Sequence, residues 1–160
     1  MNGFGRGFSA LPPVVKNLIL INVLLLVAKL KAKSVFSVDL TSILALYFPK
    51  SEMFKPLQIL THMFMHADFW HLFFNMFALY MFGSEIERVL GRQRYLIYYF
   101  ASVVGAAALH LIVTRASGLV VPTVGASGGV FGLLLAFGMF FPQRRIMLLI
   151  PPIPMKAWVF

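Results

Sequence analysis

Gly125-Ala126-Ser127-Gly128-Gly129 sits inside the longest charge-free run of the chain, residues 116–143, bounded by Arg115 and Arg144. A membrane-crossing helix needs about 20 apolar residues, so the run predicts a span with a serine in it, and two readings of that serine compete. In the first, Gly125, Gly128, Gly129, Gly132 and Ala136 recur at offsets of three and four and line one side of a helix. That is the small-residue stripe by which membrane helices pack closely, and Ser127 would simply bond back within its own helix. In the second, Ser127 is a nucleophile: at about 100° per residue it points roughly 200° from Gly125, so packing explains the glycines better than the serine. The pentapeptide also fits the G-x-S-x-G elbow of soluble α/β-hydrolases, but that elbow needs a strand before it and a histidine after it. No His follows Ser127, and that fold is set aside.

Composition points the same way. The 160 residues are 60% hydrophobic and 12% charged, whereas soluble domains run at about 45–50% apolar and about 25% charged. The net charge of +9 does not indicate nucleic acid, because the basic residues fall in small groups flanking apolar segments. Placed there, they set membrane topology against an anionic leaflet. With no cysteine there is no thiolate nucleophile and no thiolate metal site. Seventeen Phe and nine Met suit lipid-facing and adaptable packing surfaces.

The hydropathy pattern predicts an all-α polytopic bundle forming a single membrane domain over 1–160. Spans are expected at about 14–30, 69–88, 95–113 and 124–141, with the start of a fifth near 154–160. Residues 1–13 form a lead containing Arg6, and the first span is a retained helix rather than a cleaved signal, since Lys29, Lys31 and Lys33 follow it. Residues 34–56 read as a long connection in which Asp39 caps an amphipathic piece, 40–48, lying in the interface. Glu85, Glu87, Arg88, Gly91, Arg92 and Arg94 mark a charged turn between the second and third spans. If the N-terminus is cytoplasmic, Arg6, Lys16, Arg88, Arg92, Arg94, Arg144, Arg145 and Lys156 lie inside, against Lys29, Lys31, Lys33, Lys50, Lys55 and Arg115 outside. That bias predicts a cytoplasmic N-terminus and puts Ser127 in the outer half of its helix.

His71 and Asn75 are four apart and share one helix face. Polar side chains at membrane depth are costly and mark interior or functional positions, although interhelical hydrogen bonding is the plain alternative. His62 and His66 have metal-ligand spacing, yet no Glu follows His62 as in H-E-x-x-H. They are expected instead to shape the stretch before the second span through hydrogen bonds. His110, among small residues near the end of the third span, is expected to be a packed and satisfied histidine.

The run His62-Met-Phe-Met-His66-Ala-Asp-Phe-Trp-His71-Leu-Phe-Phe-Asn75, then Gly83, and about fifty residues later Gly125-Ala126-Ser127-Gly128, resembles the rhomboid family of intramembrane serine proteases, in its bacterial form. The resemblance implies a bundle of six or more spans with the first loop in the outer interface, in a bacterial inner membrane. It implies that Ser127 attacks the scissile carbonyl of a transmembrane protein substrate. His71, Asn75 and the Ser127 backbone would form the oxyanion hole, with Gly125, Gly128, Gly129, His62 and His66 in support and no metal or organic cofactor. Preorganised donors aimed at an oxyanion are each worth about 2.7–4 kcal/mol in other serine proteases. The family usually has an Arg four residues before the position of His62, where this chain has Gln58. It takes its general base from a histidine on the sixth helix, and none of the four histidines here matches it. The chain as given is therefore expected to be a truncated and inactive representative. The competing expectation is a non-catalytic rhomboid-like protein that binds transmembrane clients. A channel or transporter would call for paired broken helices and internal repeats, and neither is found.

Overall fold

A computed structural model describes residues 10–117, 121–147 and 154–159. The lead over 1–9 with Arg6, part of the loop before the Ser127 helix, and Pro151 and Pro152 lie outside those residues.

Helix α1 spans Pro13–Phe36, with a proline at its first position, where no N–H is required. It runs beyond the expected end near Leu30, through Lys31 and Lys33. Lysine ends an apolar span without ending a helix, being itself a good helix former. The turn comes at Ser37, which adopts a left-handed conformation (φ 54°). One stripe, Val15, Leu18, Asn22 and Leu26, is buried. Leu20, Ile21, Val23, Leu24, Val27 and Leu30 are exposed, an outward apolar surface that suits lipid and not water.

In the connection that follows, Asp39 caps the short helix α2, Leu40–Leu44, its carboxylate accepting from the Thr41 N–H at 2.9 Å. That amide holds the Asp39 carboxyl below the ordinary carboxylate range. Leu46 then pairs with Thr123 through both of its backbone groups, each bond 2.9 Å. The first loop is thus tied to the segment that leads into the serine helix. Helix α3 (Gln58–Thr61) continues as a 3-10 turn over His62–Phe64.

Helix α4 (Phe69–Ala78) starts at Asp68, passes through a π-helical turn at Leu79–Gly83 and joins α5 (Ser84–Ser117). Helix α5 is broken at Gly91, whose φ of 74° and ψ of 163° belong to no helix. Glycine takes that conformation without a Cβ penalty, and the chain folds back there. A carbon added to Gly83 would meet the Tyr95 hydroxyl at 2.8 Å, so the second half of α5 packs back against the π-helical turn that precedes it. The charged turn foreseen over 85–94 is therefore a one-residue break at Gly91.

Helix α6 spans Ser127–Phe140. Its glycines pack on the second half of α5: Gly128 faces Ala106, Gly129 the Tyr99 ring and Gly132 the Ser102 side chain. Phe82 and Phe137 meet edge to face at 5.0 Å on the other side. The bundle's core runs from Val15 and Leu18 through Met76, Leu79 and Ile86 to Tyr95, Tyr99 and Leu133. Residues 154–159 do not begin a fifth helix. Pro154–Lys156 (β2) pairs antiparallel with Arg145–Met147 (β1) in the register Arg145↔Lys156, and a 3-10 turn follows at Ala157–Val159. Proline is tolerated at the end of a two-stranded ribbon.

Candidate active site

Asp68 organises the start of α4. Its carboxylate accepts from the His71 backbone N–H at 2.9 Å, satisfying one of the free amides of the helix's first turn. The same turn lets the Ala67 N–H reach His71 Nδ1 at 3.4 Å. An Nδ1 that accepts assigns the proton of the neutral ring to Nε2, which makes Nε2 the donor. One turn on, Asn75 is buried, and its Nδ2 donates to the His71 carbonyl at 2.8 Å. The second hydrogen of that carboxamide makes no bond among the described residues. His71 and Asn75 thus lie on one face, as their spacing foretells.

The serine arrives from the other side. Gly125 has φ 117° and precedes α6, so it is not part of the helical stripe expected of it. Its N–H donates to the His62 carbonyl at 2.9 Å. Where its side chain would be, the His71 ring fits instead: an added carbon would lie 2.7 Å from both Cε1 and Nε2 of His71 and 3.8 Å from Ser127 Oγ. Imidazole and hydroxyl therefore approach one point over Gly125, an approach possible only because residue 125 has no Cβ. Ser127 is the first residue of α6, half-buried, and its Oγ bonds to nothing among the described residues, so the back-bonded serine of the packing reading is not what the structure contains. The first amides of α6 have no acceptor within the helix, and the helix dipole makes this end partly positive.

Behind the pair stands a supporting frame, most of it with no local sequence signal. Gln58 is buried and holds the first loop from four sides: Oε1 accepts from the Lys55 N–H at 3.1 Å and the Tyr47 N–H at 3.4 Å, and Nε2 donates to the Met53 carbonyl at 3.0 Å and the Ile43 carbonyl at 3.1 Å. Those four bonds anchor the first loop at the position where the sequence departs from the family's Arg. The Gln58 carbonyl lies 3.0 Å from His62 Nδ1, and His62 in turn holds Gly125. Burial lowers the His62 pKa. His66 is buried with its ring edge on His71, centroids 5.0 Å apart, and neither of its nitrogens has a hydrogen-bond partner among the described residues. Burial first, and then the neighbouring His71, push its pKa down to about 4, so it stands neutral beside His71. His62 and His66 thus act through backbone and ring contacts. Lys29, at the far end of α1, donates to the carbonyls of His66 (2.6 Å) and Ala67 (3.1 Å). His110 Nε2 lies 3.2 Å from Thr114 Oγ1 and also bonds Thr123 Oγ1, which fixes the segment that enters the site.

Gly125→Ala is the sharpest local probe. It adds a carbon inside the imidazole's contact distance at a φ that side chains rarely adopt, and such strain costs about 1–3 kcal/mol before any clash. Any activity that needs His71 beside Ser127 is expected to fall at least about tenfold, while Gly105→Ala, where nothing lies within 4 Å, leaves it unchanged. Equal activities of the two variants would contradict that approach.

Comparison with known proteins gives a consistent outcome. The family model described as Rhomboid domain matches residues 53–160. The chain is 34% identical over 112 residues to Rhomboid protein 1, mitochondrial, of Saccharomyces cerevisiae, covering 69% of this chain and 32% of that protein. It is 37% identical over 84 residues to Putative rhomboid protease YdcA of Bacillus subtilis (52% and 39%). It is 28% identical over 108 residues to the human Presenilin-associated rhomboid-like protein, mitochondrial (66% and 28%). The chain thus spans about a third of the length of these relatives. No solved structure gives a significant match.

Proposed function

The chain belongs to the rhomboid family of integral membrane proteins, and on that premise we propose that the full-length protein is an intramembrane serine endopeptidase acting on transmembrane protein substrates. The observation that carries the reading is the approach of Ser127 Oγ and His71 Nε2 to one point over Gly125. In the proposed reaction Ser127 Oγ adds to the scissile carbonyl and its proton passes to a general base. By the resemblance, that base is the histidine that the family carries on its sixth helix. The carbonyl oxygen gains the negative charge. It is met by the Ser127 N–H at the positive end of α6, by His71 Nε2–H and by the free hydrogen of Asn75 Nδ2. Collapse of the tetrahedral intermediate breaks the C–N bond, the leaving amine takes the proton, and water then hydrolyses the Ser127 ester. Gly125, lacking a Cβ, lets the His71 ring close onto the backbone beside Ser127. The same side chains, unreactive, would serve a binder of transmembrane clients.

The test is kinetic. In the full-length protein His71→Ala and Asn75→Ala are each expected to lower kcat by about 100-fold with a smaller change in KM, as for a donor used mainly in the transition state. A rise in KM with kcat unchanged would reduce both residues to substrate positioning. Unchanged client binding together with no cleavage by the parent protein would favour the binder.

A further inference from the structure

Away from the serine, a cleft of about 590 Å³ opens between the first loop and the last turns of α5. The loop supplies Phe48, Pro49 and Lys50, and α5 supplies Leu111, Ile112, Thr114 and Arg115. Its walls have two chemistries. Leu111 and Ile112 belong to the apolar stretch of a membrane-crossing helix, and Ile112 is exposed. Lys50 and Arg115 are exposed cations at that helix's boundary, and neither pairs with an acid among the described residues, where Glu85 alone takes part in ion pairs, with Arg88 and Arg144. Two cations with no acidic partner among the described residues, above an apolar wall at the edge of a bilayer, match one kind of molecule, a phosphate carrying acyl chains. We propose that the cleft binds an anionic phospholipid, with its headgroup phosphate between Lys50 and Arg115 and one acyl chain along Leu111 and Ile112.

The position gives the lipid a consequence. Phe48 follows closely on Leu46, whose backbone pairs with Thr123, and the α5 wall continues to His110, which also holds Thr123. A phosphate bridging Lys50 and Arg115 cross-links the two elements that fix the chain two residues ahead of Gly125. The proposal does not depend on the proteolytic reading.

The experiment is lipid binding to the purified, detergent-solubilised chain, read by native mass spectrometry with dioleoyl phosphatidylglycerol and dioleoyl phosphatidylcholine as probes. At about 1 kcal/mol for each cation near an anionic surface, phosphatidylglycerol is expected to bind about tenfold or more tighter. Lys50→Gln with Arg115→Gln is expected to abolish that preference. Lys31→Gln with Lys33→Gln, an equal loss of charge outside the cleft, is expected to preserve it. Equal loss in both pairs, or a preference that survives the first pair, overturns the assignment. Displacement by excess inorganic phosphate would assign the cleft to a free anion and also overturn it.

Discussion

Ser127→Ala is expected to bring cleavage of a transmembrane substrate by the full-length protein down to background, with yield and helical content unchanged. In a soluble serine protease, loss of the nucleophile costs on the order of 10⁶-fold in kcat, and nothing near this serine substitutes for its hydroxyl. The fold is expected to survive because Ser127 Oγ has no hydrogen-bond partner among the described residues, the residue is half-buried, and alanine is a good helix former at the start of α6. A loss of activity is then chemical rather than structural. Undiminished cutting by this variant would remove the serine from the reaction.

Glu87→Ala is expected to be the most destabilising single change at a charged residue. Glu87 is 3% exposed, and its two carboxylate oxygens accept from the Val14 and Val15 N–H groups at 3.0 and 2.8 Å. These are free amides of the first turn of α1, brought against the end of another helix away from water. Hydrogen bonds to a charged group are worth about 1.5–3 kcal/mol each, so alanine is expected to cost about 3–6 kcal/mol and to loosen α1 from the bundle. Thermal unfolding in detergent is expected to show a large fall in Tm for Glu87→Ala and an intermediate one for Glu87→Gln, which keeps one acceptor. A fall no greater than that of the exposed control Glu52→Ala would mean that the clamp does not hold α1.

What could be read from the sequence was what is local. Asp39 at the head of α2, the 71/75 face, the small-residue side of α6 and the glycine inside the charged turn all act within one or two turns of themselves. The serine stood out because glycines explain helix packing and a hydroxyl in the same run does not. The long-range clamps carried no such mark. Glu87 reads as one charge among several in a turn, and its partners lie more than seventy residues away. Lys29 reads as an interfacial lysine, although its amine grips the backbone just ahead of α4. Gln58 read only as a departure from the family's Arg, whereas its carboxamide has both ends committed to the first loop. Gly125 was counted with the helical stripe because spacing cannot register a φ of 117°, and it is that backbone conformation which makes room for His71. The expected fifth helix is replaced by the ribbon in which Pro154–Lys156 pairs with Arg145–Met147, a pairing that hydropathy along the chain does not register.

The central claim, that Ser127 and His71 approach one catalytic point over Gly125, is tested most directly by covalent labelling. The full-length protein in membranes is treated with a fluorophosphonate and the adduct is located by peptide mass spectrometry. A single adduct on Ser127 is expected, slowed by His71→Ala and lost in Gly125→Val, whose side chain displaces the His71 ring. An adduct on another residue, or labelling of Ser127 at an undiminished rate in Gly125→Val, would contradict it.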